Sequence, residues 1–394
     1  MPSVYDAIVI GAGPAGSMAA HDIAEAGHRV LLLEKHKKPG RPLCCAEGVS
    51  RPSFENIMPA RPEWVKAYIS RVKVIAPSGD TADFIHPDAG YILDRTVFDY
   101  DLAMQAKDAG ATLACETIGL MLNRNNGLFE SLDILMPGGK TETVSAAVFI
   151  AADGVESKIA RLAGIDNTIK AETIEALLQY RVEDIEIAPG TIEFYVGNEI
   201  APRGYVWVFP KSENNANIGL GISNALKKGL ETGKYLDNFL KNRFSRYKVT
   251  ETFCGLVPRY LGQEMFRKDN LLVVGDAARA VDSLSGAGII NALLSGQYAA
   301  RAACEYISGK IKNIDDIDRL YPGHFLDVKA SELKMYAKLR EVYDRLNDDD
   351  FNDIVRTLGD RYRAKKVFGI NAIKILTGLI KSRPKLIRLV KYLL

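Results

Sequence analysis

The sequence predicts an α/β fold built on a parallel sheet, and three observations carry that prediction. A mostly apolar run from Tyr5 to Ile10 enters Gly11-Ala12-Gly13-Pro14-Ala15-Gly16 and then a small-residue helical stretch reaching about Ala26. Two later apolar runs end on paired Asp and Gly: Val148–Ala151 before Ala152-Asp153-Gly154, and Leu271–Val274 before Gly275-Asp276. Runs of wholly apolar residues bounded by turn residues suit strands buried on both faces of a parallel sheet.

The first element is a complete βαβ unit. Gly27 stops the helix, and Val30-Leu31-Leu32-Leu33 forms the second buried strand, ending at Glu34. In such a unit Gly11 permits the tight turn out of the strand, Gly13 lets backbone approach a pyrophosphate, and Gly16 lets helix and strand pack closely. The unpaired N–H groups of the helix start, including those near Ala15, attract phosphate. Glu34 sits where an acid can take ribose hydroxyls. This unit therefore predicts a dinucleotide site.

Further along, alternation at Arg71–Ile75, Ala176–Val182 and Thr191–Val196 predicts half-buried strands. Gly286-Ala287-Gly288-Ile289 opens a helix, and from about residue 305 the pattern stays helical. In the strand from Tyr205 to Pro210, Tyr205, Trp207 and Phe209 alternate with valines and share one face. Such a stripe serves either as plain core or as the wall of an apolar pocket.

The motifs in this order resemble the p-hydroxybenzoate-hydroxylase-like flavoproteins. That resemblance implies an FAD-binding Rossmann-like domain formed by residues 1–60, 92–165 and 262–305. It also implies an inserted antiparallel-sheet substrate domain from 61–91 and 166–261, and a C-terminal helical region over 306–394. It places Asp276 on the ribityl hydroxyls of FAD, and the N–H groups of Gly288 and Ile289 at the pyrimidine edge of the isoalloxazine. Arg95, in Arg95-Thr96-Val97-Phe98-Asp99, falls near the FAD phosphates, and Gly119 joins the cofactor set. Leu284 departs from the pattern, since relatives usually carry proline before the Gly-x-Gly, which softens that turn.

Tyr205-Val206-Trp207-Val208-Phe209-Pro210, eight residues, then Gly219-Leu220-Gly221, is similar to the signature of geranylgeranyl reductases, and of their archaeal branch in particular. By that resemblance Tyr205, Trp207, Phe209, Pro210, Gly219 and Gly221 bind a prenyl-lipid substrate, with Tyr205 and Trp207 beside the chemistry. The loop Leu43-Cys44-Cys45-Ala46-Glu47-Gly48 approaches the flavin in the family, through Cys45, Ala46 and Gly48. Cys45 is then a proton donor or polar contact; as an ordinary cysteine it is an inert buried thiol. The resemblance implies saturation of isolated double bonds by hydride from reduced FAD. A flavin monooxygenase or halogenase and an electron-transfer flavoprotein are the alternatives. A halogenase needs a substrate-side lysine, for which Lys73 is the candidate.

Composition sets the remaining bounds. Nearly half the residues are apolar and a quarter charged, as in ordinary globular domains. The five cysteines, Cys44, Cys45, Cys115, Cys254 and Cys304, contain no C-x-x-C pair, so no zinc or iron–sulfur site is expected. Their sparse usage fits a reducing cytosol, and no signal peptide or membrane-spanning run is expected. Ten of the 51 Lys and Arg lie from Arg361 onward, where none of the 49 Asp and Glu falls. Lys385, Arg388 and Lys391 line one face of a final helical pattern opposite Leu386, Leu389, Val390 and Leu393. That amphipathic pattern reads either as a peripheral membrane contact or as a helix packed on the body. No nucleic-acid motif accompanies the charge. The electron donor, NAD(P)H, ferredoxin or a deazaflavin, leaves no signature.

Overall fold

The computed structural model describes residues 3–166, 170, 173–223, 231–262 and 265–362. The basic helix expected at the C-terminal end lies outside these residues. Two compact units are present: one from residues 1–43, 95–169 and 258–334, the other from 44–94, 170–257 and 335–394.

The first unit holds a six-stranded sheet. Ala7–Ile10 pairs in parallel with both Val30–Leu33 and Val148–Ala151, and Val148–Ala151 pairs in parallel with Leu271–Val273. Every residue of the strands Ala7–Ile10, Val30–Leu33, Val148–Ala151 and Leu271–Val273 is buried, which explains why they read as unbroken apolar runs. A separate antiparallel meander, Ile118–Asn125, Leu128–Leu135 and Thr141–Ser145, completes the unit. Its first hairpin closes through Asn126-Gly127, both at positive φ (49° and 89°), the geometry a two-residue hairpin loop requires.

The second unit is built on an eight-stranded sheet. From one edge it runs Lys248–Pro258, Ile174–Glu183, Asn215–Ser223, Gly204–Pro210, Thr191–Val196, Val65–Ile75, Thr81–Leu93 and Gly48–Ser50. The sheet is not wholly antiparallel: Thr191–Val196 runs parallel to Val65–Ile75, because the two are contributed by separate inserted segments rather than by one hairpin. Residues 44–60 belong here, since Gly48, Val49 and Ser50 pair with Ile92, Tyr91 and Gly90. The described residues after 305 are mostly helical and are divided between the two units, the division falling within the helix His324–Tyr343.

One face of this sheet is covered by the helix Thr232–Arg243, whose Leu236, Phe239 and Leu240 pack on Val206, Val208, Ile218 and Leu220. The helix Asp348–Tyr362 contributes Phe351 and Val355 to a second cluster with Ala82 and Phe84. The end of the helix His324–Tyr343 fixes the start of the strand Gly204–Pro210. There Tyr343 donates to the Gly204 carbonyl at 2.6 Å, and Arg340 pairs with Glu175 at 3.2 Å and Asp344 at 3.0 Å.

Candidate functional site

In the first unit the glycines of the N-terminal motif have three different surroundings. A Cβ on Gly11 would stand 2.3 Å from the Ala152 carbonyl oxygen, and φ there is +107°. A Cβ on Gly16 would stand 1.9 Å from the Gly11 oxygen. Around Gly13, by contrast, nothing lies within 4 Å. Gly11 and Gly16 are thus demanded by the fold, whereas Gly13 leaves an unfilled cradle at the start of the helix Pro14–Glu25. That helix start has no side-chain cap, so its N–H groups remain available to an anion. Ala15, in the first turn, is itself buried.

Glu34 braces this loop. Its Oε2 accepts from the Ala12 N–H at 3.2 Å, and its Oε1 from the His36 N–H at 2.8 Å. Arg95 is held bidentate by Asp99, with both contacts at 2.6 Å, so the Arg and Asp of that element work as one rigid donor. Gly119 is surrounded by Ile159, Ile10 and Leu132 side chains, a packing reason for glycine that involves no ligand.

Asp276 lies on the short turn Gly275–Ala278, and a Cβ on Gly288 would come within 3.0 Å of its carboxylate. Gly288 caps the helix Ile289–Ile307 without any side-chain hydrogen bond. Among the described residues no hydrogen bond reaches the Asp276 carboxylate; desolvation pushes its pKa up, and the Arg95 guanidinium opposes that push. The turn that lacks the expected proline at Leu284 is stiffened otherwise: Asp282 Oδ1 accepts from the N–H groups of Leu284 at 2.7 Å and Ser285 at 3.2 Å.

A carboxyl whose pKa rises on folding contributes stability that is complete below its unfolded value and lost as pH rises through its folded value. Asp276→Asn is therefore expected to raise the melting temperature of the ligand-free chain at pH 7. The gain should vanish below about pH 4, where the carboxyl is protonated in either state. Equal melting temperatures at pH 7 would show that the carboxylate is not a strained group.

In the second unit Tyr205, Trp207 and Phe209 do share one face, joined there by Phe194, Leu177, Ile69 and Ile92. Phe194 meets Tyr205 at 5.5 Å and Phe209 at 5.6 Å, both edge to face. Trp207 and Phe209 are buried and Tyr205 half-buried, while Pro210 closes the strand. Across the sheet Tyr205 faces Gly221 and Trp207 faces Gly219. A Cβ on Gly219 would be 2.4 Å from the Trp207 ring, so this glycine makes room for the indole. Gly221 is crowded by Leu177. Lys73 stands in register with Asp83 and Glu193 on the neighbouring strands.

The loop Cys44–Gly48 is anchored to the same sheet. The Glu47 N–H donates to Cys45 Sγ at 3.2 Å, and Gln179 Nε2 donates to the Cys45 carbonyl at 3.0 Å. Asn217 Nδ2 reaches the Ala46 carbonyl at 3.3 Å and Glu47 Oε2 at 2.6 Å. Glu47 is fully buried at φ +72° and forms an ion pair with Lys211, whose ammonium also donates to the Leu93 carbonyl at 3.0 Å. Burial pushes the Lys211 pKa down, against the pull of Glu47. Cys45 is partly exposed, and Cys44 is exposed with Gly255 beside it. Gly48 admits the edge of the Phe209 ring, since a Cβ there would lie 2.7 Å from it. Sequence reasoning did not single out Glu47, Lys211, Gln179 or Asn217.

A Rossmann-like dinucleotide cradle in one unit and an aromatic-faced sheet in the other define an oxidoreductase with the FAD-binding flavoprotein fold. Residues 9–51 match the NAD(P)-binding Rossmann-like domain, and residues 173–257 match the geranylgeranyl reductase catalytic domain. The chain belongs to the geranylgeranyl reductase family. It is 36% identical over 403 residues to the digeranylgeranylglycerophospholipid reductase of Methanosarcina acetivorans, covering 98% of this chain and 95% of that one. It is 37% identical to the reductase of the same name from Methanosphaerula palustris, covering 98% and 97%. A geranylgeranyl bacteriochlorophyll reductase-like protein from Thermoplasma acidophilum superposes with a TM-score of 0.91 at 29% identity, with both chains fully covered. A flavin-dependent brominase superposes at 0.70 with 18% identity over 97% of this chain and 99% of its own, a likeness of fold alone.

Proposed function

We propose that this chain binds FAD and hydrogenates isolated carbon–carbon double bonds in the geranylgeranyl chains of a membrane phospholipid. The observation that carries the reading is the Tyr205–Trp207–Phe209 face, an aromatic stripe within the residues that match the reductase catalytic domain. An unactivated alkene offers no carbonyl to polarise, so the protein's part is apolar binding, orientation and exclusion of water.

Gly13, Ala15 and Gly16 present N–H groups to the FAD pyrophosphate, Glu34 takes the ribose and Arg95 the phosphates. Asp276 takes the ribityl hydroxyls, and Gly288 and Ile289 offer the positive end of their helix to the flavin ring. By the family pattern, Cys45, Ala46 and Gly48 would belong to the loop that meets the flavin. When bound and reduced, FAD supplies the hydride for one alkene carbon. Cys45 holds the proton for the other carbon, its sulfur oriented by the Glu47 N–H. Tyr205, Trp207, Phe209 and Pro210, with Gly219 and Gly221, form the wall for the prenyl chain. Electrons come from an external donor, NAD(P)H, ferredoxin or a reduced deazaflavin. No described helix is long and apolar enough to cross a membrane.

The test is anaerobic reduction with dithionite, addition of geranylgeranyl phospholipid, and mass spectrometry of the lipid. A gain of two hydrogens per double bond supports the reading; unaltered lipid with fully reduced flavin ends it. In the same assay Tyr205→Ser, at a half-buried position, is expected to lower kcat/KM by about 10- to 100-fold, the value of one lost aromatic contact surface. Its flavin content should not change.

A further inference from the structure

We propose that Gln179 is a positioning residue for Cys45, coupling the aromatic face to the cysteine loop. Gln179 is 3% exposed and makes two hydrogen bonds of opposite sense. Its Oε1 accepts from the Trp207 indole Nε1–H at 2.9 Å, and its Nε2 donates to the Cys45 carbonyl at 3.0 Å. The partners leave the amide one orientation: an indole N–H can only donate and a carbonyl can only accept, so a flipped Gln179 would lose both bonds.

Strand register makes the coupling feasible. Gln179, Gly219 and Trp207 lie side by side on three adjacent strands. A side chain on the middle residue would collide with the indole, so the first glycine of the Gly219-Leu220-Gly221 motif opens the route by which Trp207 reaches Gln179. At the other end, Asn217 holds the next carbonyl, that of Ala46, and the Glu47 N–H closes on Cys45 Sγ. Gln179 therefore fixes the backbone of the residue whose sulfur the neighbouring N–H then orients. Trp207 acts on Cys45 through this amide as well as serving as wall. The role rests on the reading of Cys45 as proton donor, and its test is chosen to separate the two.

The probe is iodoacetamide alkylation of Cys45, followed by peptide mass in the full flavin-loaded chain. A Cys44→Ser background removes the adjacent competing thiol. Gln179→Leu and Gln179→Met each lose both bonds. Each is expected to raise the Cys45 alkylation rate by about 5-fold, the change in open population expected for the one buried hydrogen bond lost at the Cys45 carbonyl. Lipid-reduction kcat should fall by a similar factor, with KM and flavin content held. An alkylation rate equal to that of the parent in either folded variant, Gln179→Leu or Gln179→Met, overturns the proposal. Faster alkylation with undiminished lipid reduction upholds the positioning role and removes Cys45 from the reaction.

Discussion

Lys211→Met is expected to destabilise the chain by about 3–5 kcal/mol, the usual cost of breaking a buried ion pair by removing one partner. Glu47 has no exposed surface and the Lys211 side chain only 6%, so water cannot replace the missing ammonium. Asn217 would still donate to Glu47 and Arg181 would keep its longer ion pair with it at 3.5 Å, which places the loss toward the lower end of that range. The Leu93 carbonyl would also lose its Lys211 donor. Glu47 sits in the left-handed region, which a non-glycine residue occupies only when its surroundings compel it. Loss of the pair should therefore loosen the loop as well as weaken the fold. Glu47→Gln with Lys211→Met removes both charges and should recover most of the loss, because no uncompensated charge then stays buried. Denaturant midpoints of the two single variants and the double variant make the check. A Lys211→Met midpoint within error of the parent would mean that the pair is not buried in solution.

The four anchors of the cysteine loop show what period and motif could not reveal. Gln179 and Arg181 follow Leu177 on alternate positions of one strand, and a period-two reading assigns such polar residues to no specific partner. Their partners lie far off in sequence: Gln179 is 134 residues from Cys45, Lys211 164 from Glu47, and Asn217 170 from Glu47. Only the folded sheet brings them together. The buried parallel strands, by contrast, carry their structural logic locally, as unbroken apolar runs closed by Gly and Asp. The Asn126-Gly127 turn is equally local in its chemistry, although the sequence reading passed over it. Segment boundaries were harder for a physical reason. Three residues, Gly48–Ser50, attach to the end of Thr81–Leu93, and a stretch that short has too little period to announce its sheet. Gly219 sits between these cases: the motif marks it, but its mechanical task, clearing the indole, appears only once Trp207 is seen opposite it.

The contrast between Gly13 and Gly16 gives the other large expected effect. Gly13 has φ −75° and ψ −175°, extended backbone that any residue adopts, and nothing within 4 Å of a prospective Cβ. Gly13→Val should thus leave the fold intact while filling the cradle that the pyrophosphate would occupy. Two charge-assisted hydrogen bonds to the phosphates, each about 1.5–3 kcal/mol, correspond to about a 10²- to 10⁴-fold loss of FAD affinity. Gly16→Ala puts a methyl 1.9 Å from the Gly11 carbonyl oxygen and 3.0 Å from Ala152 Cβ, so the helix must shift away from the strand. Its loss should appear in the apoprotein's own stability before any ligand is added. Titration of FAD into the two apoproteins, with melting temperatures of each, separates the effects. Gly13→Val is expected to melt like the parent apoprotein and fail to gain stability with FAD, whereas Gly16→Ala should melt lower at the outset. If Gly13→Val still takes up FAD with parental affinity, the phosphates do not lie on this helix start, and the assignment of Gly13, Ala15 and Gly16 to them falls with it.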